Sequence, residues 1–527
     1  MSRPPAEPPR PLARGGAPLF LLLLAWPVVL VAPTGPSMSD SVLRAAIRLV
    51  DDHTFVLSDE RDPKVVFLTE AYDISVREGR VYSGVGPGAT VLAAPFYAAL
   101  KPVLSRFDDR VVANRRFRNY YLRNAATLPG AGPRHLADVY LLQILLAALL
   151  VAPLSASFGA RLVGFLTAHG VERAPATAAA VATGLGSMVL YYSAMYSRQA
   201  LAYGLAWHAI LWLAESGGPR RRACLLGGAL LGAAVAIDYP SAILVALSLL
   251  FLLPRLGAPA RLLVMLPLLA LLALLAAYHQ AAFGSPFATP YHFRFWITPE
   301  PLARQGLDLA AFQEGAAVGL NAPSPAVMAR LCFGRFKGLF LYSPVLLLGL
   351  AGNLKGLRAA GHRSVHLFCL AVFASYLVFN SMLGTHVPGF GRYFWGGLSV
   401  LWGPRYLYAV VPFLAIGLVE FDWRRRAARL LAWALLLVSC AVNVAGTMFS
   451  DVVMSTYAFG PELRFPLAYV TRLLVSGGPR VPLLDVYGVS RGVQDAGLLA
   501  LSGVSLLLLR LSARAPRGDR SSTDRRP

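Results

Sequence analysis

An all-α fold that crosses a bilayer about a dozen times is what the sequence predicts. Three observations lead there. The 527-residue chain is 56% hydrophobic and 14% charged, with a mean hydropathy of +0.56, whereas a soluble domain carries about 25% charged residues. Apolar runs near the length of a membrane helix, about 18 residues, recur along the chain. Leu262–Ala282 is the clearest; Ala17–Pro33 and Leu430–Ala445 are slightly shorter and draw on their flanks. Finally, basic residues cluster in alternate short connections, as they do in cytoplasmic loops.

Helices are expected near 17–34, 136–155, 176–194, 199–215, 224–237, 241–254, 262–283, 338–352, 365–383, 401–420, 430–447 and 494–511. The stretch 156–176 is left between them, with Ser157–Ala168 a candidate interfacial helix. Arg220, Arg221 and Arg222 lie in one basic connection, and Arg255 and Arg261 bracket the next. Lys355, Arg358 and Arg363 form a third, and Arg424, Arg425, Arg426 and Arg429 a fourth. This alternation predicts an inner (plasma) membrane protein with both termini in the cytoplasm. Residues 1–16 form an N-terminal tail, 17–511 the transmembrane domain and 512–527 a basic disordered tail. Long outer segments fall at 35–135, 284–337, 384–400 and 448–493. The basic flank of the first apolar run (Arg3, Arg10, Arg14) also suits a signal peptide. A weak cleavage pattern and the many helices that follow favour an uncleaved first helix.

The net charge of +22 does not imply nucleic acid, because the arginines sit between apolar runs, where they meet anionic headgroups. Cys224, Cys332, Cys369 and Cys440 lack metal spacing and read as small apolar residues. No H-x-x-H or H-E-x-x-H spacing links His53, His135, His279, His292 or His386, which argues against a catalytic zinc. Without a Walker motif, ATP hydrolysis is not expected.

Polar groups concentrate at the outer helix ends. Asp40 and Arg44 share a face if the segment after the first apolar run is helical; Ser39 or Asp40 capping that helix is the plain alternative. Val42, Ala46, Leu49 and Val50 share another face, and Ala89–Leu100 is apolar but short, suited to the membrane surface. Tyr82-Ser83-Gly84-Val85-Gly86-Pro87-Gly88 offers backbone N–H groups to a phosphate or is simply a tight turn; it lacks a P-loop ending. Asp238-Tyr239-Pro240 is an interfacial turn or part of a site. Arg335, Arg392 and Arg405 lie on the outer side against the positive-inside bias. They hold an anion bidentately or snorkel to headgroups.

Together these segments resemble polyprenol-phosphate-dependent GT-C-type membrane glycosyltransferases of bacteria, the group related to protein mannosyltransferases and aminoarabinose transferases. The resemblance runs over about residues 17–420, through Thr34-Gly35-Pro36-Ser37, Ser39-Asp40 and Arg44, then Tyr82-Ser83, Gly86-Pro87-Gly88 and Ala94-Pro95. It continues through Asp238-Tyr239-Pro240, Phe283-Gly284-Ser285-Pro286, Lys337-Gly338-Leu339-Phe340-Leu341-Tyr342-Ser343-Pro344, Gly403-Pro404-Arg405-Tyr406-Leu407 and Pro412-Phe413. The last hundred residues add nothing to it.

The resemblance implies transfer of a sugar from a polyprenyl-phosphate donor to a glycan, lipid or protein acceptor on the extracytoplasmic side. Asp40 would be the catalytic carboxylate. Arg44, Tyr82, Asp238, Arg335, Lys337, Tyr342, Arg392 and Arg405 would bind substrate. A divalent metal serves some such enzymes and not others, and no metal cage is evident. Two departures stand out: no paired acidic motif occurs at 39–41, and Arg198-Gln199 stands where a histidine is expected. Asp51, Asp52 and Asp73 lie in more polar stretches and are expected to be solvated. The competing readings are a polytopic transporter or flippase, which usually shows repeated halves, and a polymer ligase for lipid-linked glycans.

Overall fold

The computed structural model describes residues 16–32, 38–64, 66, 73–113, 133–215, 221–295, 320–359, 361–383, 395–396, 402–450 and 465–513. Helices dominate these residues. Five are long and apolar enough to cross a membrane: Asp138–Ala168, Ala258–Phe283, Arg363–Ser381, Arg426–Met448 and Arg491–Ser512. Shorter apolar helices at Gly16–Val29, Ser241–Arg255 and Val345–Gly356 pack among them. On Ala258–Phe283, Leu262, Leu266 and Leu269 form one exposed stripe at helical spacing, a surface suited to lipid rather than water. The opposite side of that helix packs closely on Arg221–Ile237. A Cβ at Gly228 would lie 2.0 Å from the Val264 carbonyl oxygen, so only glycine permits this approach.

Several boundaries differ from the sequence expectation. The helix expected at 136–155 runs on to Ala168, absorbing the piece expected to lie along the interface. A π turn at Ala147–Val151 precedes Pro153; a proline inside a helix clashes with the carbonyl four residues back, and one wider turn relieves it. The 176–194 helix breaks between Gly184 and Val189. The 338–352 helix breaks at Ser343-Pro344 into Leu339–Tyr342 and Val345–Gly356, since the residue before proline avoids the helical region. The 401–420 span is not one α-helix: 3₁₀ turns at Arg405–Val410 and Gly417–Glu420 flank a short α segment, Val411–Ile416.

Two amphipathic pieces of the first outer segment are helical. Met38–Asp51 buries Val42, Leu43, Ala46 and Ile47. Gly88–Ala113 is longer than the Ala89–Leu100 run and packs against it. Tyr97 donates a 2.9 Å bond to Asp51, and Lys101 lies 2.8 Å from the same carboxylate.

The sequence reading contains no strands, yet a small antiparallel sheet forms. β1 (Ile74–Arg77) and β2 (Arg80–Ser83) make a hairpin, and β3 (Arg294–Phe295) pairs with the other edge of β1. Glu78 and Gly79 both take positive φ, 50° and 77°, the geometry that matches the twist of a two-residue hairpin. The sheet ties the segment after the first helix to the one after Ala258–Phe283, and Ser75 adds a 2.7 Å bond to the Pro290 carbonyl.

Candidate functional site

The site forms where the sheet meets one end of the helical bundle, and Arg198 is at its centre. Ser197 caps the Arg198–Leu213 helix through the Ala200 N–H. That places Arg198 on the first turn, 5% exposed. Its Nη1 lies 3.3 Å from Asp73 Oδ2 and its Nε 3.3 Å from Asp238 Oδ1. The other Asp73 oxygen lies 3.1 Å from Arg294 Nη2, and the Arg294 guanidinium sits 4.4 Å over the Tyr291 ring. Burial pushes the Tyr291 phenol up to about 12.

Asp238 ends the Arg221–Ile237 helix and is 1% exposed. Burial keeps its carboxyl above the ordinary carboxylate value, while Arg198 and Arg405 pull the other way. The glycine-rich loop beside it is a packing device. A Cβ at Gly86 would stand 2.3 Å from the Ala236 carbonyl oxygen, and the Gly84 N–H donates to the Asp73 carbonyl at 2.8 Å. These glycines let the loop close over the helix end that carries Asp238, which is the tight-turn reading rather than the phosphate-cradle reading.

Arg405 opens its 3₁₀ turn at 2% exposure, with its guanidinium 4.5 Å over the Tyr406 ring. Lys337 is 1% exposed, and its ammonium lies 4.7 Å from the Trp395 ring centroid. Burial first, and then the Arg405 charge, hold the Lys337 amine well below its ordinary value. Both segments hang on one frame. Tyr342 donates to the carbonyls of Phe336 (2.9 Å) and Arg335 (3.2 Å), fixing the Lys337 turn. Its ring meets Trp402 edge-on at 4.8 Å. Trp402 donates to Asn443 Oδ1 at 3.2 Å, and Asn443 donates to the Tyr342 carbonyl at 2.8 Å.

Asp40 and Arg44 are buried on Met38–Asp51, at 3% and 2% exposure. Asp40 lies within the first helical turn. Contacts lead from this helix to the cluster: Ser41 and Ser83 share a 2.9 Å hydrogen bond, Ser83 pairs with Ile74, and Asp73 is the next residue.

Of the expected substrate-binding residues, Asp238, Lys337 and Arg405 belong to the cluster, and the Asp40–Arg44 helix abuts it through Ser41. Tyr342 is a brace with its hydroxyl committed to two carbonyls. Tyr82 is buried with its ring 5.3 Å from Phe283. Arg335 is exposed and offers its carbonyl rather than its guanidinium. Arg392 lies outside the described residues. Asp73 is the clearest correction: expected in solvent, it is 3% exposed between two arginines. Asp51 and Asp52 are exposed, as expected. Arg198 and Arg294 were not among the expected site residues. Asn443 lies in the last hundred residues, which gave no signal.

The cluster and the adjoining Asp40–Arg44 helix hold, among the described residues, three carboxylates, Asp40, Asp73 and Asp238, and five basic groups, Arg44, Arg198, Arg294, Lys337 and Arg405. Among the described residues, no three of His, Cys, Asp and Glu gather to hold a metal ion, and Asp73 and Asp238 both face Arg198.

No family model and no curated protein matches the chain. Among solved structures, the chain is similar to the crystal structure of ArnT from Cupriavidus metallidurans bound to undecaprenyl phosphate, with 15% sequence identity and a TM-score of 0.43 over 95% of this chain and 78% of that one. A likeness of this degree assigns neither an activity nor a substrate.

Proposed function

We propose that the chain is a membrane glycosyltransferase that moves a sugar from a polyprenyl-phosphate donor to an acceptor on the extracytoplasmic side. One observation carries the reading: Arg405 and Lys337 are both buried and lie near enough for the Arg405 charge to act on Lys337, and Arg405 also acts on Asp238, at the same end of the bundle as Asp40. Guanidinium and ammonium groups are the usual protein partners of a phosphate, and the donor carries one. The order of motifs along residues 17–420 supports the same reading. A sugar carried on a lipid phosphate needs no nucleotide site, in keeping with a sequence that lacks a Walker motif.

In the proposed step Asp40 takes the proton from the acceptor hydroxyl as its oxygen bonds the anomeric carbon of the sugar. The bond from that carbon to the phosphate oxygen breaks, and its electron pair leaves with the polyprenyl phosphate. Arg405 and Lys337 stabilise the charge that develops there, in a site where low dielectric strengthens them. Arg198 positions Asp238 and Asp73 rather than touching the reacting atoms.

The test is transfer by the purified protein in liposomes holding a labelled polyprenyl-phosphate sugar and a hydroxyl acceptor. Release of polyprenyl phosphate with labelled acceptor is the expected result. Movement of the intact donor across the bilayer without cleavage would instead establish a flippase.

A further inference from the structure

The bundle has a cavity at the end opposite the charged cluster. The Arg198–Leu213 helix starts at the cluster and ends at this cavity, which separates the two by about 22 Å at 1.5 Å per residue. The Ser241–Leu252 helix, which begins just after Asp238, also ends there. The cavity holds about 360 Å³, within the range of small-ligand sites. Phe158, Leu162, Trp207, Phe251, Phe368 and Phe413 form its walls, so its interior is apolar.

Charge is confined to the mouth. Glu215 and Glu420 are both engaged there, Glu215 by Arg161 and Glu420 by His366 at 3.2 Å. Arg255 is different. It is exposed, its guanidinium lies 3.8 Å over the Phe251 ring, and it donates to the Phe251 carbonyl. Among the described residues no carboxylate pairs with it. His169 and His362 share the mouth, and Arg261 and Arg363 lie close by in sequence.

We propose that this cavity binds one acyl chain of an anionic phospholipid, with the lipid phosphate on Arg255. The aromatic and aliphatic walls suit an alkyl chain, which needs no polar partner. The mouth offers a cation at a helix end, and basic pockets between membrane helices recognise anionic headgroups. The donor phosphate proposed for Arg405 belongs to the other end, so this inference does not depend on the transferase reading.

The experiment compares thermal unfolding of the purified full-length protein in detergent with added phosphatidylglycerol or phosphatidylcholine. Phosphatidylglycerol should raise the midpoint by roughly 2–5 °C, the size expected of a ligand near a hundredfold over its dissociation constant. Phosphatidylcholine should not. Arg255→Glu, an exposed change, should abolish the difference while leaving the midpoint in phosphatidylcholine unchanged. Ile416→Trp, which fills the cavity, should also abolish it, and native mass spectrometry should show the retained phospholipid lost. Equal shifts with both lipids, or an undiminished phosphatidylglycerol shift in Arg255→Glu, would overturn the proposal. So would polyprenyl phosphate, rather than phospholipid, being the molecule that Ile416→Trp displaces.

Discussion

Arg198 and Asp73 stand 125 positions apart in the chain and meet at 3.3 Å with both side chains almost wholly buried. Through this contact the segment that carries the hairpin is fastened to the helical bundle, and Asp238 completes the clasp from the other side.

Arg198→Ala should therefore destabilise the protein by about 3–5 kcal/mol, because it removes the cation set between two buried carboxylates and leaves Asp73 to Arg294 alone. Asp73→Asn in the same background should cost less than it does alone, since one of its two arginine partners is already gone. Unfolding of the single and double variants in detergent measures the coupling. Strictly additive costs would show that the pair is not a clasp.

Gly86→Ala should cost about 1–3 kcal/mol, the usual range for forcing an added methyl into packed structure. The Cβ would meet the backbone carbonyl of Ala236 at 2.3 Å, and backbone cannot rotate aside as a side chain can. The strain falls two residues before Asp238, so activity should drop with stability. A neutral result in thermal unfolding would contradict this packing.

The helices were legible because apolar length and basic connections are properties of composition, and Leu262–Ala282 shows both. The hairpin was also readable: Ile74-Ser75-Val76-Arg77-Glu78-Gly79-Arg80-Val81-Tyr82-Ser83 alternates around a turn ending in glycine. Its strands are only four residues long, so they are faint beside the long apolar runs. Asp73 was misread because local polarity says nothing about a partner that folding brings from position 198. Arg198 drew notice only as a departure from a family pattern. Asn443 carries no local signal, as its role comes from the Trp402–Tyr342 frame that it joins.

Arg405→Lys should impair transfer almost as much as Arg405→Ala. A guanidinium grips phosphate with two parallel bonds, and a single ammonium does not reproduce the fork. Steady-state rates for the two variants check this. Full activity in Arg405→Lys would remove the bidentate assignment while leaving a charge requirement in place.

The proposed extracytoplasmic placement of the cluster predicts that the loop carrying Arg424, Arg425 and Arg426 faces the cytoplasm. A topology reporter fused after Arg426 should score cytoplasmic. A periplasmic score would invert the orientation and move the proposed chemistry to the wrong side.

The central claim is that Asp40 accepts the acceptor proton, and one substitution separates this from a structural role. Asp40→Asn keeps the side-chain shape and caps a helix about as well as Asp, but it cannot take a proton. Polyprenyl-phosphate release by Asp40→Asn, folded and reconstituted in liposomes beside the parent protein, is the decisive measurement. A fall of roughly 10²–10⁴-fold, at unchanged stability, is the predicted result. Near-normal release from the folded variant would contradict the account and leave Asp40 as a residue of the helix terminus.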